Sequence, residues 1–174
     1  MASTAASTTT RLRSDAEQLH AALTHLVRLY QFRDRDKICC HDVSITQCNA
    51  LEVLVERGAM RSQVLASALM LDKSTTTRVV DALVRKRYVE RLPDPDDGRA
   101  VSLRATRSGR ALYERINGEL IDQQADLLRD LDPEVRAGAA EVIRRLAKAA
   151  QARFIDGTSA AASASVCCGP GEGA

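Results

Sequence analysis

Two periodicities alternate along the chain, and they divide it into elements. Leu19, Leu23, Leu26, Val27 and Tyr30 recur at helical spacing behind Ser14-Asp-Ala-Glu17, which has the form of a capping box. This predicts a first helix that ends near Phe32, where the charged run Arg33-Asp-Arg-Asp-Lys37 begins. A second capping box, Ser44-Ile-Thr-Gln47, opens a helix that reaches about Gly58. Val64, Leu65, Ala68 and Leu69 give the inward side of a third helix over Arg61 to Leu69. Asp72 is a good N-cap for a fourth, whose apolar stripe is Val79, Val80, Leu83 and Val84. The period then drops to two. Tyr88 to Leu92 and Val101 to Arg104 read as strands, joined by a turn rich in Pro, Asp and Gly at 93 to 98. Helical spacing returns from Thr106-Arg-Ser-Gly109 to about Asp130, through Leu112, Ile116, Leu120 and Leu127. Asp132-Pro133-Glu134 starts the last helix, with cap, first-turn proline and an acid at the positive dipole end. Val135, Ala139, Val142, Leu146 and Ala150 carry it to about Phe154.

Helix, turn, helix, strand, tight loop, strand is the layout of a winged helix-turn-helix. The expected fold class is mainly α with a small β-wing. A DNA-binding lobe spans about 60–105, and the terminal helices, too apolar for one lobe to cover, form a dimerisation region. Residues 1–13 read as a flexible lead, 14–155 as the domain, and 156–174 as a flexible tail that contains cysteines. The run Asp94-Pro95-x-Asp97-x-Arg99, followed by Leu103, Thr106 and Gly109, resembles the wing of the multiple-antibiotic-resistance regulator (MarR) family. The resemblance covers about residues 12 to 155. It implies a triangular homodimer that binds DNA and responds to small molecules, often phenolic ones. Two positions depart from the family pattern. Gly98 stands where a second basic residue is usual, and Arg87 stands where a glycine usually ends the recognition helix.

Composition sharpens this in three ways. The chain is 45% hydrophobic but only 3% aromatic and has no Trp, which suits Leu/Val/Ala helix packing and leaves little to line a phenolic pocket. The net charge of +2 argues for no partner, but its distribution does: residues 73 to 107 hold nine Lys/Arg against five Asp/Glu, leaving the remainder net negative. No apolar segment marks export or membrane insertion, so a cytoplasmic protein is expected. Structural disulfides are rare there, and the five cysteines need another explanation.

On the helix-turn-helix reading, the fourth helix presents its first turns to the major groove of double-stranded DNA. Lys73 can neutralise phosphate, Ser74, Thr75 and Thr77 can bond to phosphates or base edges, and Arg78 is suited to guanine. Arg99 would reach the minor groove or its phosphates, with Asp97 placed to orient it; the resemblance implies this pair at the wing tip. A twofold dimer predicts a palindromic operator with half-sites about one helical turn apart.

The remaining chemistry is Cys39-Cys40-His41 with Cys48. Val43 and Cys48 occupy the hydrophobic-staple positions of the second capping box, which would fold the incoming loop over Cys48. A helix N-terminus favours thiolate. Cys39, Cys40 and Cys48 would then suit a soft three-coordinate ion, As(III) or Sb(III) before Hg. His41 would add a Cys3His set for Zn, without the usual Cys-x2-Cys spacing. Cys167 and Cys168 form a second pair, which a flexible linker of some ten residues, spanning about 17–19 Å, could bring to the first. No obligatory cofactor is expected, and no enzyme. The leading expectation is a repressor released from DNA when a soft metal or metalloid binds these thiolates. The alternatives are a thiol-redox or electrophile sensor, an organic-anion-responsive regulator, and, from another class, a metalloid-binding chaperone.

Overall fold

The structure, a computed structural model, describes residues 2–153, with the side chains of residues 2–9, 36, 37 and 39 outside the description. In chain order the elements are α1 (Ala2–Cys39), α2 (Ile45–Arg57), β1 (Met60–Arg61), α3 (Ser62–Leu69), α4 (Lys73–Arg85), β2 (Val89–Pro93), β3 (Val101–Ala105), α5 (Arg107–Leu128) and α6 (Pro133–Gln151). Residues up to Ile121 form one compact unit, and a second begins at Asp122. Among the described residues no helix is long and apolar enough to cross a membrane.

α2 lies at the centre of the first unit. Ala50, Leu51 and Leu54 are fully buried, and Leu65, Val80, Leu83, Val89, Leu103 and Ile116 complete the core around them. Each such side chain contributes about 1.5–3 kcal/mol relative to exposure. The Ser44 capping box forms as expected: the Ser44 hydroxyl accepts from the Gln47 amide, and the Gln47 side chain accepts from the Ser44 amide. Helical spacing therefore served well wherever an apolar face packs within the unit. Val64 of the α3 stripe is an exception and is exposed.

α1 departs from expectation at both ends. It starts at Ala2, so residues 2–13, read as a flexible lead, are helical. Ser14-Asp-Ala-Glu17 therefore lies inside the helix and caps nothing; Ser14 accepts instead from Gln18 one turn on, and Arg13 pairs with Glu17. At the other end the helix runs through Arg33 to Lys37 and stops at Cys39. A charged run without Gly or Pro is no helix stop. Arg33 here lies over the Tyr30 ring, and Arg35 over Phe32. The stripe Leu19, Leu23, Leu26 and Val27 stands open to solvent in the single chain. So do Val135, Val142 and Ile143 of α6, a helix with no buried residue.

The sheet has three antiparallel strands in the order β1-β3-β2, one more than the spacing predicts. Two-residue β1 carries no alternation to read. It pairs Met60 with Leu103 and Arg61 with Ser102, on the edge of β3 opposite β2.

One junction joins α4, the wing and α5. Past the end of α4, Arg87 takes a left-handed conformation (φ 61°). Its N–H donates to the Val84 carbonyl and that of Tyr88 to the Leu83 carbonyl, the paired bonds of a Schellman ending. The Arg87 carbonyl accepts from the Thr106 and Ser108 hydroxyls, and the Tyr88 carbonyl accepts from the Thr106 amide. α5 starts so close to that strand that a Cβ on Gly109 would lie 2.1 Å from the Tyr88 carbonyl oxygen. Gly109 is required by this approach. Arg87, by contrast, carries a side chain where glycine would be unstrained. Arg87→Gly is therefore expected to stabilise the protein by up to about 1 kcal/mol, read as a higher urea midpoint at unchanged slope.

Candidate nucleic-acid interface and the cysteine turn

Asp72 is the N-cap of α4 and sets its first turn. Its carboxylate accepts from the Thr75 amide (2.8 Å), the Thr75 hydroxyl (2.6 Å) and the Ser74 hydroxyl (2.7 Å). Hydrogen bonds from Thr75, then Ser74, hold its carboxyl well below the usual carboxylate range. Thr77 donates to the Lys73 carbonyl, and Thr76, not singled out from sequence, turns inward and is fully buried. Lys73, Ser74, Thr77 and Arg78 are exposed on one side of α4, with Thr75 half-buried beside them. The three hydroxyls spend their hydrogens inside the helix, so they present lone pairs and methyl groups outward. Lys73 and Arg78 supply the outward donors, and Arg78 also reaches the Ser74 hydroxyl at 3.5 Å.

The wing is built on Asp94. Although it belongs to a loop, it is only 7% exposed. One carboxylate oxygen accepts from Arg61 Nη2 (2.8 Å) and from the amides of Asp96 (3.1 Å) and Asp97 (3.2 Å). The other accepts from Arg61 Nε (2.9 Å) and the Ser102 hydroxyl (2.7 Å). Arg61, foremost, and Ser102 keep this carboxyl ionised well below the usual range. Asp97 was expected to orient the Arg99 side chain. Instead its carboxylate accepts from the Arg99 backbone amide at 3.1 Å, shaping the turn, while the Ala100 amide donates to the Asp97 carbonyl and the Asp94 amide to the Ala100 carbonyl. The Arg99 side chain is exposed at the tip. The Asp94–Asp96 bond is an Asx turn, legible as Asp-Pro-Asp. Arg61 left no local signal, because its part depends on strand register.

The connection between α1 and α2 separates the cysteines. Cys40 is exposed, whereas Cys48 is buried in the core with Val43 and Ile38. The staple positions are thus filled as apolar packing. Thiolate at Cys48 was expected from the helix N-terminus, and the structure reverses that. Burial, with Glu52 and Asp34 nearby, pushes its thiol up to about 11. Tyr113 is pushed up to about 12 in the same surroundings, by burial first and then by Glu52 and Glu56. Among the described residues no three His, Cys, Asp or Glu side chains come together to hold an ion. The side chain of Cys39, and Cys167 and Cys168 entirely, lie outside the described residues. His41 Nε2 lies 3.2 Å from Glu119 of α5. The turn closes at Asp42, which is left-handed (φ 60°). Lys86, the C-cap of α4, donates to the Asp42 carbonyl and lies 3.3 Å from the Asp42 carboxylate and 3.4 Å from Gln47 Oε1. The cysteine turn is therefore tied to the end of α4.

Comparison with known proteins agrees with this geometry. The MarR family model matches residues 43–101, from the entry to α2 through the wing. The chain is 31% identical over 134 residues to the HTH-type transcriptional regulator ML2140 of Mycobacterium leprae, covering 75% of this chain and 91% of that protein. A MarR family protein from Bacillus stearothermophilus superposes with a TM-score of 0.73 at 23% identity, over 78% of this chain and 95% of that one. NadR, solved in complex with 4-hydroxyphenylacetate, has a TM-score of 0.62 at 23% identity, over 75% and 92%. These relatives are regulators and not enzymes. The helix-turn-helix pair, the wing and these matches together make the chain a member of the MarR family of winged-helix, DNA-binding transcriptional regulators.

Proposed function

We propose that this regulator is a cytoplasmic, homodimeric repressor that holds a palindromic operator in double-stranded DNA and releases it when a soft metal or metalloid binds thiolates of the turn between α1 and α2. α4 would enter the major groove, with Lys73 on phosphate, Arg78 on guanine, and Ser74, Thr75 and Thr77 offering acceptors and methyl groups to base edges. Arg99 would contact the minor groove or its phosphates. The bare apolar stripes of α1 and α6 support a dimer, since Leu19, Leu23, Leu26 and Val27 have no cover in the single chain. A dimer also sets the distance between two recognition helices, and any shift of that distance weakens binding to both half-sites together.

The observation that carries the effector reading is the Lys86 tether, because it joins the one loop with distinctive soft-ligand chemistry to the recognition helix. A thiol-binding ion at Cys40 and Cys39 would pull on Asp42, and through Lys86 on the end of α4. Coupling of about 1–3 kcal/mol between the two sites gives a 5- to 150-fold loss of DNA affinity. Cys48 enters this scheme with a handicap, since its proton must leave a buried sulfur before any ion can bind. As(III) or Sb(III) would therefore engage the turn thiols first, with Cys48 or the Cys167–Cys168 pair completing a three-sulfur set and Hg or Zn as weaker fits. The organic-anion reading keeps one support, the aromatic acid bound in NadR.

The deciding experiment is a gel shift on the upstream promoter with arsenite, antimonite, zinc, peroxide or an aromatic carboxylate added, for wild type and Cys39→Ser. The expected result is retardation at moderate salt, at least tenfold release by roughly stoichiometric arsenite or antimonite, and no release of Cys39→Ser. Arg78→Ala should weaken the complex by about 1–3 kcal/mol and relax preference at one base position. No retardation would end the regulator reading for this promoter. Release by peroxide or the carboxylate alone would transfer the effector role to oxidation or to an organic anion. Thiol alkylation followed by peptide mass analysis gives an independent check. At pH 8 the peptide with Cys40 should be modified rapidly, while Cys48 stays protonated and unmodified until the pH approaches 11 or the protein unfolds.

A further inference from the structure

Arg61 lies outside α4 and outside the wing loop, in a strand of two residues, yet it makes a bidentate ion pair with the wing's one buried acid. We propose that Arg61 is a positioning residue for DNA binding: by gripping Asp94 at two points it fixes the wing tip, and Arg99 with it, at a set offset from the recognition helix. The inference rests on the reading that α4 and the wing both touch DNA.

Three observations lead to it. Arg61 is the N-cap residue of α3, so its backbone belongs to the start of the helix-turn-helix pair while its side chain belongs to the wing. It is also the cross-strand partner of Ser102, which donates to the same carboxylate, so two neighbours on adjacent strands converge on Asp94. From Asp94 the grip passes into the tip through the Asp96 and Asp97 amides, and Asp97 in turn accepts from the Arg99 amide. A two-stranded ribbon such as β2–β3 twists readily by itself. A planar guanidinium held at two oxygens resists rotation as well as separation, which a lysine ammonium does not.

Electrostatics alone makes the opposite forecast for one substitution, and that makes the inference testable. Removing the negative charge of Asp94 from a surface that faces phosphates should tighten DNA binding if charge is all that matters. If Asp94 and Arg61 act by positioning, Asp94→Asn should weaken it. The experiment measures operator affinity of the full-length chain as a function of salt for wild type, R61A, R61K, D94N, R99A and R61A/R99A, with thermal melts alongside. R99A should lower the slope of log affinity against log salt by about 1.8, two wings at about 0.9 per lost phosphate contact. R61A, R61K and D94N should each weaken binding about tenfold, the size of one lost charge-assisted contact, and lower the slope to a similar extent. R61A/R99A should bind no worse than R99A. Tighter binding by D94N, a wild-type slope for R61K, or multiplying losses in the double variant would each overturn the proposal, the last by making Arg61 a separate phosphate contact. If R61A or D94N fails to melt cooperatively, R61K and S102A carry the same comparison. Should R99A itself leave affinity and slope unchanged, the wing-contact reading fails along with this one; loss at R99A with none at R61K refutes the positioning role alone.

Discussion

The carbonyl groups of Arg87 and Tyr88 form the point on which the DNA-binding unit depends. α4 ends there in a left-handed turn, β2 begins there, and the chain returns from β3 to start α5 against the same two residues. Thr106 and Ser108 bind the Arg87 carbonyl, and Gly109 lets the helix pass the Tyr88 carbonyl without a clash. Recognition helix, wing and the long α5 thus share a single backbone joint. The joint tolerates Arg87 because hydrogen bonding on both sides leaves the turn little freedom to relax.

The wing solves a different problem. A loop that reaches toward a polyanion must keep its shape without a core of its own. Asp94 supplies a buried charge around which loop amides, a hydroxyl and a guanidinium converge, a network in which no acceptor on the carboxylate is left idle. Its charge is neutralised by Arg61, so the tip is not left with an unopposed acid at this position. Gly98 removes a cation that the family usually has at the tip, and Arg99 is left as its exposed basic side chain.

The cysteine turn illustrates how burial can overrule a local electrostatic rule. A helix N-terminus stabilises thiolate, but Cys48 sits under the α1–α2 connection among apolar side chains, with Glu52 and Asp34 close by. Desolvation and two carboxylates together outweigh the dipole, and the sulfur stays protonated. The same packing that silences Cys48 braces Asp42 and its contact with Lys86, so the turn has a mechanical connection to α4 whatever ligand it takes.

What the sequence determined by itself was everything set by neighbours a few residues apart. The N-caps at Asp72 and Ser44, the apolar stripe of α4, the two wing strands and the left-handed position at Arg87 all follow from local bonding and period, and each has its place in the structure. The ends of α1 escaped this reading because a capping-box pattern and a charged run are compatible with helix interior as well as with helix ends. Tertiary structure alone decided the rest: β1, the Arg61–Asp94–Ser102 cluster, the inward turn of Thr76, the Lys86 tether and the protonated state of Cys48. Each depends on residues 30 to 45 positions apart, or on burial, and neither leaves a mark in any short window of sequence. A cysteine becomes a ligand or a core residue according to what covers it, and that is settled only when the helices pack.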